Sequence, residues 1–442
     1  METILIKVAQ FFLSLSILVI LHELGHFVFA KIFKTKIEKF YLFFDPWFSL
    51  FKFKKGETEY GIGWLPLGGY VKISGMIDES FDKEQMKQPP KPWEFRSKPA
   101  WQRLLILFGG ILVNILLAYV IYVGVLLSWG DDYLPVENLQ YGIVTDSLGT
   151  SLGLQNGDKI LYVGGKKIDN FQKIIPTLIL NDPKIITVLR DGKKIDIKIK
   201  NSDLKKIINN SSFIIPRIPF VISSVLDTGN AAKAGLKPGD KVIEVNGKQA
   251  MFIDEVKREL KEHKGEIVRL TILRNNDTLD VPVEVNEFGM IGIILDMNLS
   301  KYFELKHIDY SLSEALVIGI KRTIYMLDSY FKQLKLIFTP ETEAYKSVGG
   351  FITIGKIFPG VWDWRTFWNL TAFLSVMLAI LNLLPIPGLD GGHIMFTLFE
   401  IITGRKPSDK FLIKAQMVGF VILLLLLIYV NGNDIVKLFS GK

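Results

Sequence analysis

The chain of 442 residues has no cysteine and only five histidines. Without cysteine there is no structural disulfide, and the redox compartment stays open. Charge is missing from long stretches: Leu104 to Gly130 and Thr366 to Leu389 carry none, nor do the 19 residues from Ala415 to Asn433. About 20 apolar residues cross a bilayer core, so these are three candidate transmembrane helices. Residues 1–21 lead straight into His22, Glu23 and His26 with no small-residue cleavage site, and the whole run Ile4–Ala30 is apolar except for Lys7 and those three. That run is expected to be an uncleaved anchor and a fourth spanning helix rather than a secretory signal peptide. No RNA- or DNA-binding pattern accompanies the net charge of +8, so nucleic acid is not expected as a partner.

What is present is a hybrid. Residues AVILMFWYC make up 49% of the chain and mean hydropathy is +0.29, yet 22% of residues are charged. That charged share is close to the roughly 25% of soluble domains. Disorder and a collagen-like chain are excluded, and a wholly intramembrane bundle would have nowhere to put 53 basic and 45 acidic side chains. Residues 131–310 alone hold 50 of them. A helical membrane core with folded water-soluble mass is therefore expected. Orientation follows from loop charge. The segment Lys31–Arg103 has 14 Lys and Arg against 9 Asp and Glu, and Arg405, Lys406, Lys410 and Lys414 follow the third helix. By the positive-inside rule both face the cytoplasm, which places both termini and residues 131–310 on the outer side.

The middle block contains a repeat. Gly153-Leu154-Gln155-Asn156-Gly157-Asp158 recurs as Gly235-Leu236-Lys237-Pro238-Gly239-Asp240, an offset suited to two copies of a small domain. Each copy reads as strand, Gly-Asp turn, strand, Gly turn, helix and further strands. In the second copy the helix is expected at Ile253–His263, with strands at Ile267–Arg274 and Thr278–Val285. Both copies resemble PDZ domains of the bacterial protease type. That resemblance implies a groove receiving an extended peptide by strand addition, and spacers that only gate access remain the alternative. The first copy departs from the pattern, with Asn156 in place of Pro and no Ala-rich helix start over Leu148–Leu152.

The chemistry sits in the first helix. His22-Glu23-Leu24-Gly25-His26 is an H-E-x-x-H motif, which puts the two imidazoles one helical turn apart on the same face. Imidazole suits Zn²⁺, and Glu23 is placed to take a proton from water at the metal. A catalytic zinc needs a third protein ligand and one open position. The run Asn382-Leu383-Leu384-Pro385-Ile386-Pro387-Gly388-Leu389-Asp390-Gly391-Gly392-His393 breaks the third helix. The topology brings Asp390 to the level of His22 and His26, making it the expected third ligand, with His393 the weaker candidate and a helix N-cap the alternative role for Asp390.

These motifs, in this order, resemble the site-2 protease family of intramembrane zinc metalloproteases. The two PDZ-like repeats between the second and third helices narrow the likeness to the bacterial branch named for the regulator of sigma-E protease. The resemblance implies zinc held by His22, His26 and Asp390, Glu23 as catalytic base, and substrate-binding or unwinding roles for Asn382, Pro385 and Pro387. Gly61-Ile62-Gly63-Trp64-Leu65-Pro66-Leu67-Gly68-Gly69-Tyr70 resembles the family's G-x-G and membrane re-entrant β-hairpin region, which adds Gly61 and Gly63 to the expected substrate site. Gly109-Gly110-Ile111 and Asn114 stand where the family has Gly-Pro and then Asn; Ile111 replaces the Pro, and Asn114 is expected to line the site.

Leu312, Leu316, Ile320, Ile324, Leu327, Phe331, Leu334 and Phe338 form an apolar stripe, read as a helix on the outer membrane interface or packed on the repeats. The expected architecture is then a core of four transmembrane helices with a re-entrant β-hairpin region and two α+β PDZ-like domains. The expected segments are 1–130 (membrane core), 131–210 and 211–300 (PDZ-like), 301–365 (amphipathic helix and linker) and 366–442 (membrane core). The resemblance implies an inner-membrane enzyme with its repeats on the periplasmic side and its active site toward the cytoplasm. Its expected partners are lipid and transmembrane substrates, namely anti-sigma factors and remnant signal peptides, with peptides at the PDZ grooves. Two other classes stay open, a PDZ-bearing adaptor with a vestigial metal site and a zinc transporter; zinc stoichiometry and metal flux would separate them.

Overall fold

The computed structural model describes residues 2–66, 68–76 and 88–440. Leu67, within the expected hairpin region, lies outside them. The chain divides into two compact units: Met1–Gly130 with Asp309–Pro340 and Tyr345–Lys442, and Asp131–Ile308 with Glu341–Ala344. The first unit opens on α1 (Glu2–Ile32), whose 31 residues rise about 46 Å. Strands β1 (Ile37–Leu42), β2 (Phe44–Lys55), β3 (Thr58–Leu65) and β4 (Tyr70–Ile73) follow, in the sheet order β2-β3-β1-β4. β1 runs parallel to β3 and antiparallel to β4, leaving β4 as an edge strand. β2 is aromatic and open, with Trp47 91% exposed and Phe51 and Phe53 also exposed. Helix α2 (Ala100–Trp129) then crosses α1 closely, because neither helix has a side chain at the crossing. A Cβ on Gly25 would stand 2.2 Å from the Gly109 carbonyl oxygen. α2 runs unbroken through Ile111, which is buried.

In the second unit the chain enters on β5 (Asp131–Tyr133). The first repeat comprises β6 (Ile143–Thr145), α3 (Ser147–Leu152), β7 (Lys159–Val163), β8 (Lys166–Lys167), α4 (Ile174–Asn181), β9 (Ile185–Arg190), β10 (Lys193–Lys198), α5 (Asn201–Asn209) and β11 (Ile214–Pro216). The second comprises β12 (Ile222–Val225), α6 (Asn230–Lys233), β13 (Lys241–Val245), β14 (Lys248–Gln249), α7 (Ile253–Glu262), β15 (Ile267–Arg274), β16 (Asp277–Glu284) and β17 (Ile293–Leu295). The sheets β10-β9-β7-β8 and β16-β15-β13-β14 have the same topology, as do the pairs β11-β6 and β17-β12. β18 (Lys306–Ile308) closes the unit by pairing with β5.

The repeated Gly-Asp turn has one cause in both copies. Gly157 and Gly239 take φ values of +94° and +92°, which L side chains rarely adopt. The aspartate that follows caps its own turn, Asp158 accepting from the Gln155 amide and Asp240 from that of Lys237. An arginine then closes each carboxylate with two hydrogen bonds, Arg190 on Asp158 at 2.7 and 2.8 Å and Arg274 on Asp240 at 2.6 Å each. Burial pushes the Asp240 carboxyl up, but the hydrogen bonds and charge of Arg274 outweigh it and hold the group below the usual carboxylate range. Asn156, the departure in the first copy, has its own task. It accepts from the Thr145 amide and donates to Asp254 of the second copy at 2.7 Å, tying the repeats together. The first copy still forms its short helix α3 without alanines, because Asp146 caps it.

Five helices complete the first unit: α8 (Leu312–Ile337), α9 (Phe351–Ile357), α10 (Trp364–Leu383), α11 (Asp390–Thr403) and α12 (Asp409–Ser440). α1, α2, α10 and α12 are each long and apolar enough to cross a membrane. α8 packs on α2 and α10, with Leu327, Tyr330 and Leu334 set against them. Its buried face is mostly small, Ala315, Gly319, Thr323 and Ser329, while most of the large apolar stripe read from sequence is exposed. The stripe is thus largely the outward face. A Cβ on Gly319 would stand 2.6 Å from Val123, which shows how closely the small face approaches α2. α10 ends at Leu383, before the two prolines, and α11 is a separate helix that the uncharged run Thr366–Leu389 does not reveal.

Candidate metal centre and its cavity

α1 presents His22 and His26 inward, 7% and 5% exposed. Space for both rings comes from α2, where Gly110 has no side chain; a Cβ there would lie 2.4 Å from His26 Nε2 and 2.5 Å from His22 Cε1. Asp390 arrives from the other side, as the first residue of α11. Its loop folds back tightly because residues 391 and 392 are glycines; a Cβ on Gly391 would meet the Leu384 oxygen at 2.2 Å. Asp390 does not cap its helix.

The three side chains converge on one point. Asp390 Oδ2 lies 3.2 Å from both His22 Nε2 and His26 Nε2, and the two nitrogens are 3.3 Å apart. Ligands about 2.0–2.1 Å from a tetrahedral zinc stand about 3.3 Å from one another, so the triangle fits that ion. Asp390 Oδ2 is buried and makes no well-formed hydrogen bond, leaving its lone pairs for a cation. The outer nitrogens are held as a metal site requires. His26 Nδ1 donates to the Ile106 carbonyl at 2.9 Å, which leaves Nε2 bare. The Asn114 amide stands 3.1 Å from His22 Nδ1, and its Oδ1 is buried without a partner. Turned so that Oδ1 faces the ring, the amide accepts Nδ1–H and frees the second Nε2. Ser375 donates to the Asn114 carbonyl at 2.7 Å and steadies this residue from α10.

A cavity of about 990 Å³ opens on the cluster. Glu23 is half-buried in its wall, beside His22 and His26, with Asp390 and His393 also lining it. Gly69 lets the lead into β4 press on α1, since a Cβ there would sit 2.7 Å from Val19 and 3.5 Å from Glu23 Cγ. Asn382 lines the cavity, its Nδ2 3.4 Å from His22 Nε2. Asn114 stands behind His22, fully buried rather than in the lining. Gly61 and Gly63 lie in β3, where Cβ atoms would strike the Tyr41 ring at 2.3 Å and the Phe44 oxygen at 2.1 Å. Pro385 is exposed in the loop, and Pro387 packs on Gly419 of α12. Gly419 and Gln416 were not singled out from sequence, and no motif marks them; Gly110 stood out only within the Gly109-Gly110-Ile111 run, without this role beside the imidazoles.

Two imidazoles and a carboxylate gathered at one point, with a second carboxylate beside them among apolar helices, form the constellation of a metal-dependent peptidase built into a membrane. The chain belongs to peptidase family M50, whose profile matches residues 10–426. It is similar to the regulator of sigma E protease of Haemophilus influenzae, 26% identical over 464 residues that cover 98% of this chain and 99% of that protein. It is also similar to the zinc metalloprotease RasP of Geobacillus kaustophilus, 27% identical over 461 residues and 98% of each chain. The protein is accordingly an integral-membrane zinc metalloprotease of the site-2 protease family.

Proposed function

We propose that this enzyme cleaves transmembrane segments at the cluster of α1 and α11, with His22, His26 and Asp390 holding zinc and Glu23 acting as base. The observation that carries the assignment is the 3.2–3.3 Å triangle of Nε2, Nε2 and Oδ2 atoms at the end of a largely apolar cavity. When bound, zinc polarises the scissile carbonyl and makes water nucleophilic at neutral pH. Glu23 takes the proton of the attacking water on its carboxylate and returns it to the leaving amide nitrogen. Asn114 and the Ile106 carbonyl orient the two rings from behind. Asn382 is placed at the substrate side of His22.

A helical substrate keeps its amides in internal hydrogen bonds, so it must unwind locally to offer a carbonyl. The free edge of β4 along the cavity supports pairing with the unwound segment by strand addition. Gly61 and Gly63 would serve this edge indirectly, by letting the sheet close up beneath it. The exposed aromatic side of β2 supports a hairpin that dips into the bilayer.

We read residues 131–210 and 211–300 as PDZ-like domains on the periplasmic side, gating access or taking peptide, between membrane segments 1–130 and 366–442. Segment 301–365 is the linker that carries α8. Anti-sigma factors and remnant signal peptides are the proposed substrates, cleaved toward the cytoplasmic face of the inner membrane. The test is cleavage of a transmembrane reporter by the Glu23→Gln enzyme, expected to be lost while zinc stays bound.

A further inference from the structure

Gln416 lies two turns into α12, in a run of sequence without charge. Its neighbours Met417 and Val418 are exposed and apolar, as befits a spanning helix, but Gln416 is only 4% exposed. The side chain borders the same cavity as Glu23 and Asp390. It has no hydrogen-bond partner among the described residues, and its polar atoms are not sealed inside the protein.

Its position is fixed from one turn further along α12. Gly419 lets that helix abut the loop that leads to Asp390, since a Cβ there would fall 1.5 Å from the Pro387 oxygen. Gln416 is thereby held beside the loop of the proposed metal ligand. An amide without a partner in apolar surroundings is costly, and one opening on a cavity is available to whatever fills it. Glutamine offers two donors and an acceptor. A peptide segment drawn out of a transmembrane helix exposes the matching set, unpaired N–H and C=O groups.

We propose that Gln416 is a substrate-binding residue that pairs with the main chain of a transmembrane segment unwound at the metal centre, supplying hydrogen bonds from α12 in addition to those from β4. The proposal rests on the cleavage reading above and adds the residue that receives the substrate on this wall.

The absence of native cysteine makes the test clean. In the Glu23→Gln background, Gln416→Cys is paired with a transmembrane reporter bearing single cysteines walked across its cleaved segment. Oxidation is expected to give disulfides only within about three residues of the scissile bond, the span of an unwound turn. Leu426→Cys, on the exposed side of α12, is expected to give none. Crosslinking from position 416 no greater than from 426 overturns the proposal.

In the otherwise wild-type enzyme, Gln416→Met keeps the length and removes the amide. It is expected to lower kcat/KM about 10- to 100-fold with zinc content unchanged. Unchanged kcat/KM, or loss of zinc, also overturns the assignment. Cleavage by the Glu23→Gln enzyme would instead sink the catalytic assignment, a failure the crosslinking pattern reads separately.

Discussion

In the unit of the two repeats, buried charge is closed on itself. Asp158, Asp240 and Glu259 are each 4% exposed or less, and each meets a cation, Arg190, Arg274 and Lys248. The unit that holds the metal centre closes pairs too, Glu94 with Arg96 and Arg103 with Glu400, but it also leaves buried polar atoms open. Among the described residues, the buried side-chain atoms left without a hydrogen bond are Gln10 Oε1, Thr35 Oγ1, Asn114 Oδ1 and Asp390 Oδ2, all in that unit. A buried polar atom without a partner costs roughly 1–3 kcal/mol, more for a charge. Of the four, Asp390 Oδ2 lines the cavity and Asn114 Oδ1 lies behind His22, and there the cost marks a place kept for an ion. Paired burial builds the repeats; at the metal centre burial is left unpaired.

The largest break in this comparison would come from crowding the metal centre. Gly110→Ala places a Cβ against both imidazoles, and zinc affinity and reporter cleavage are each expected to fall about 10- to 100-fold with helix content retained. Titration with a competing chelator, beside circular dichroism, reads both.

Breaking a closed pair should act on stability instead. Arg274→Met leaves Asp240 buried and unpaired, and is expected to cost the repeat unit about 2–3 kcal/mol while zinc content is unchanged. Denaturant unfolding of the full chain, followed by hydrogen exchange in β13 and β15, measures it. The same pair carries a pH dependence. The folded Asp240 holds its proton less tightly than the unfolded one, so its contribution is complete at neutral pH and lost as pH falls below about 4. The Arg274→Met variant should lose that part of the acid sensitivity. The smallest effect is expected for Asn156→Ala, which removes the tie to Asp254 and costs about 1 kcal/mol. Greater mobility between the repeats, with neither repeat unfolded, is the readout.

Much of this was legible in the residues. HELGH on a spanning helix fixed two ring positions one turn apart, and the prolines before Asp390 announced where the third helix stops. The repeat offset located both small sheets, with strand limits within a residue or two in the second copy. The amphipathic helix was legible in extent but not in its contacts. Its large residues outweigh Ala315, Gly319 and Thr323 in any hydropathy pattern, while packing between membrane helices selects the small ones. Gln416 stayed hidden because one uncharged polar residue in an apolar run looks like membrane filler. Its meaning depends on Gly419 meeting Pro387, a contact between separate segments. Asn114 was noticed, but its place behind His22 depends on how α2 crosses α1.

The most direct test is zinc content and reporter cleavage measured on the same preparations of wild-type and Glu23→Gln enzyme. The wild type should carry about one zinc per chain and cut the transmembrane reporter, and the variant should carry the same zinc and cut nothing. Cleavage by the variant at the wild-type rate, or a wild type that cuts without zinc, would contradict the account.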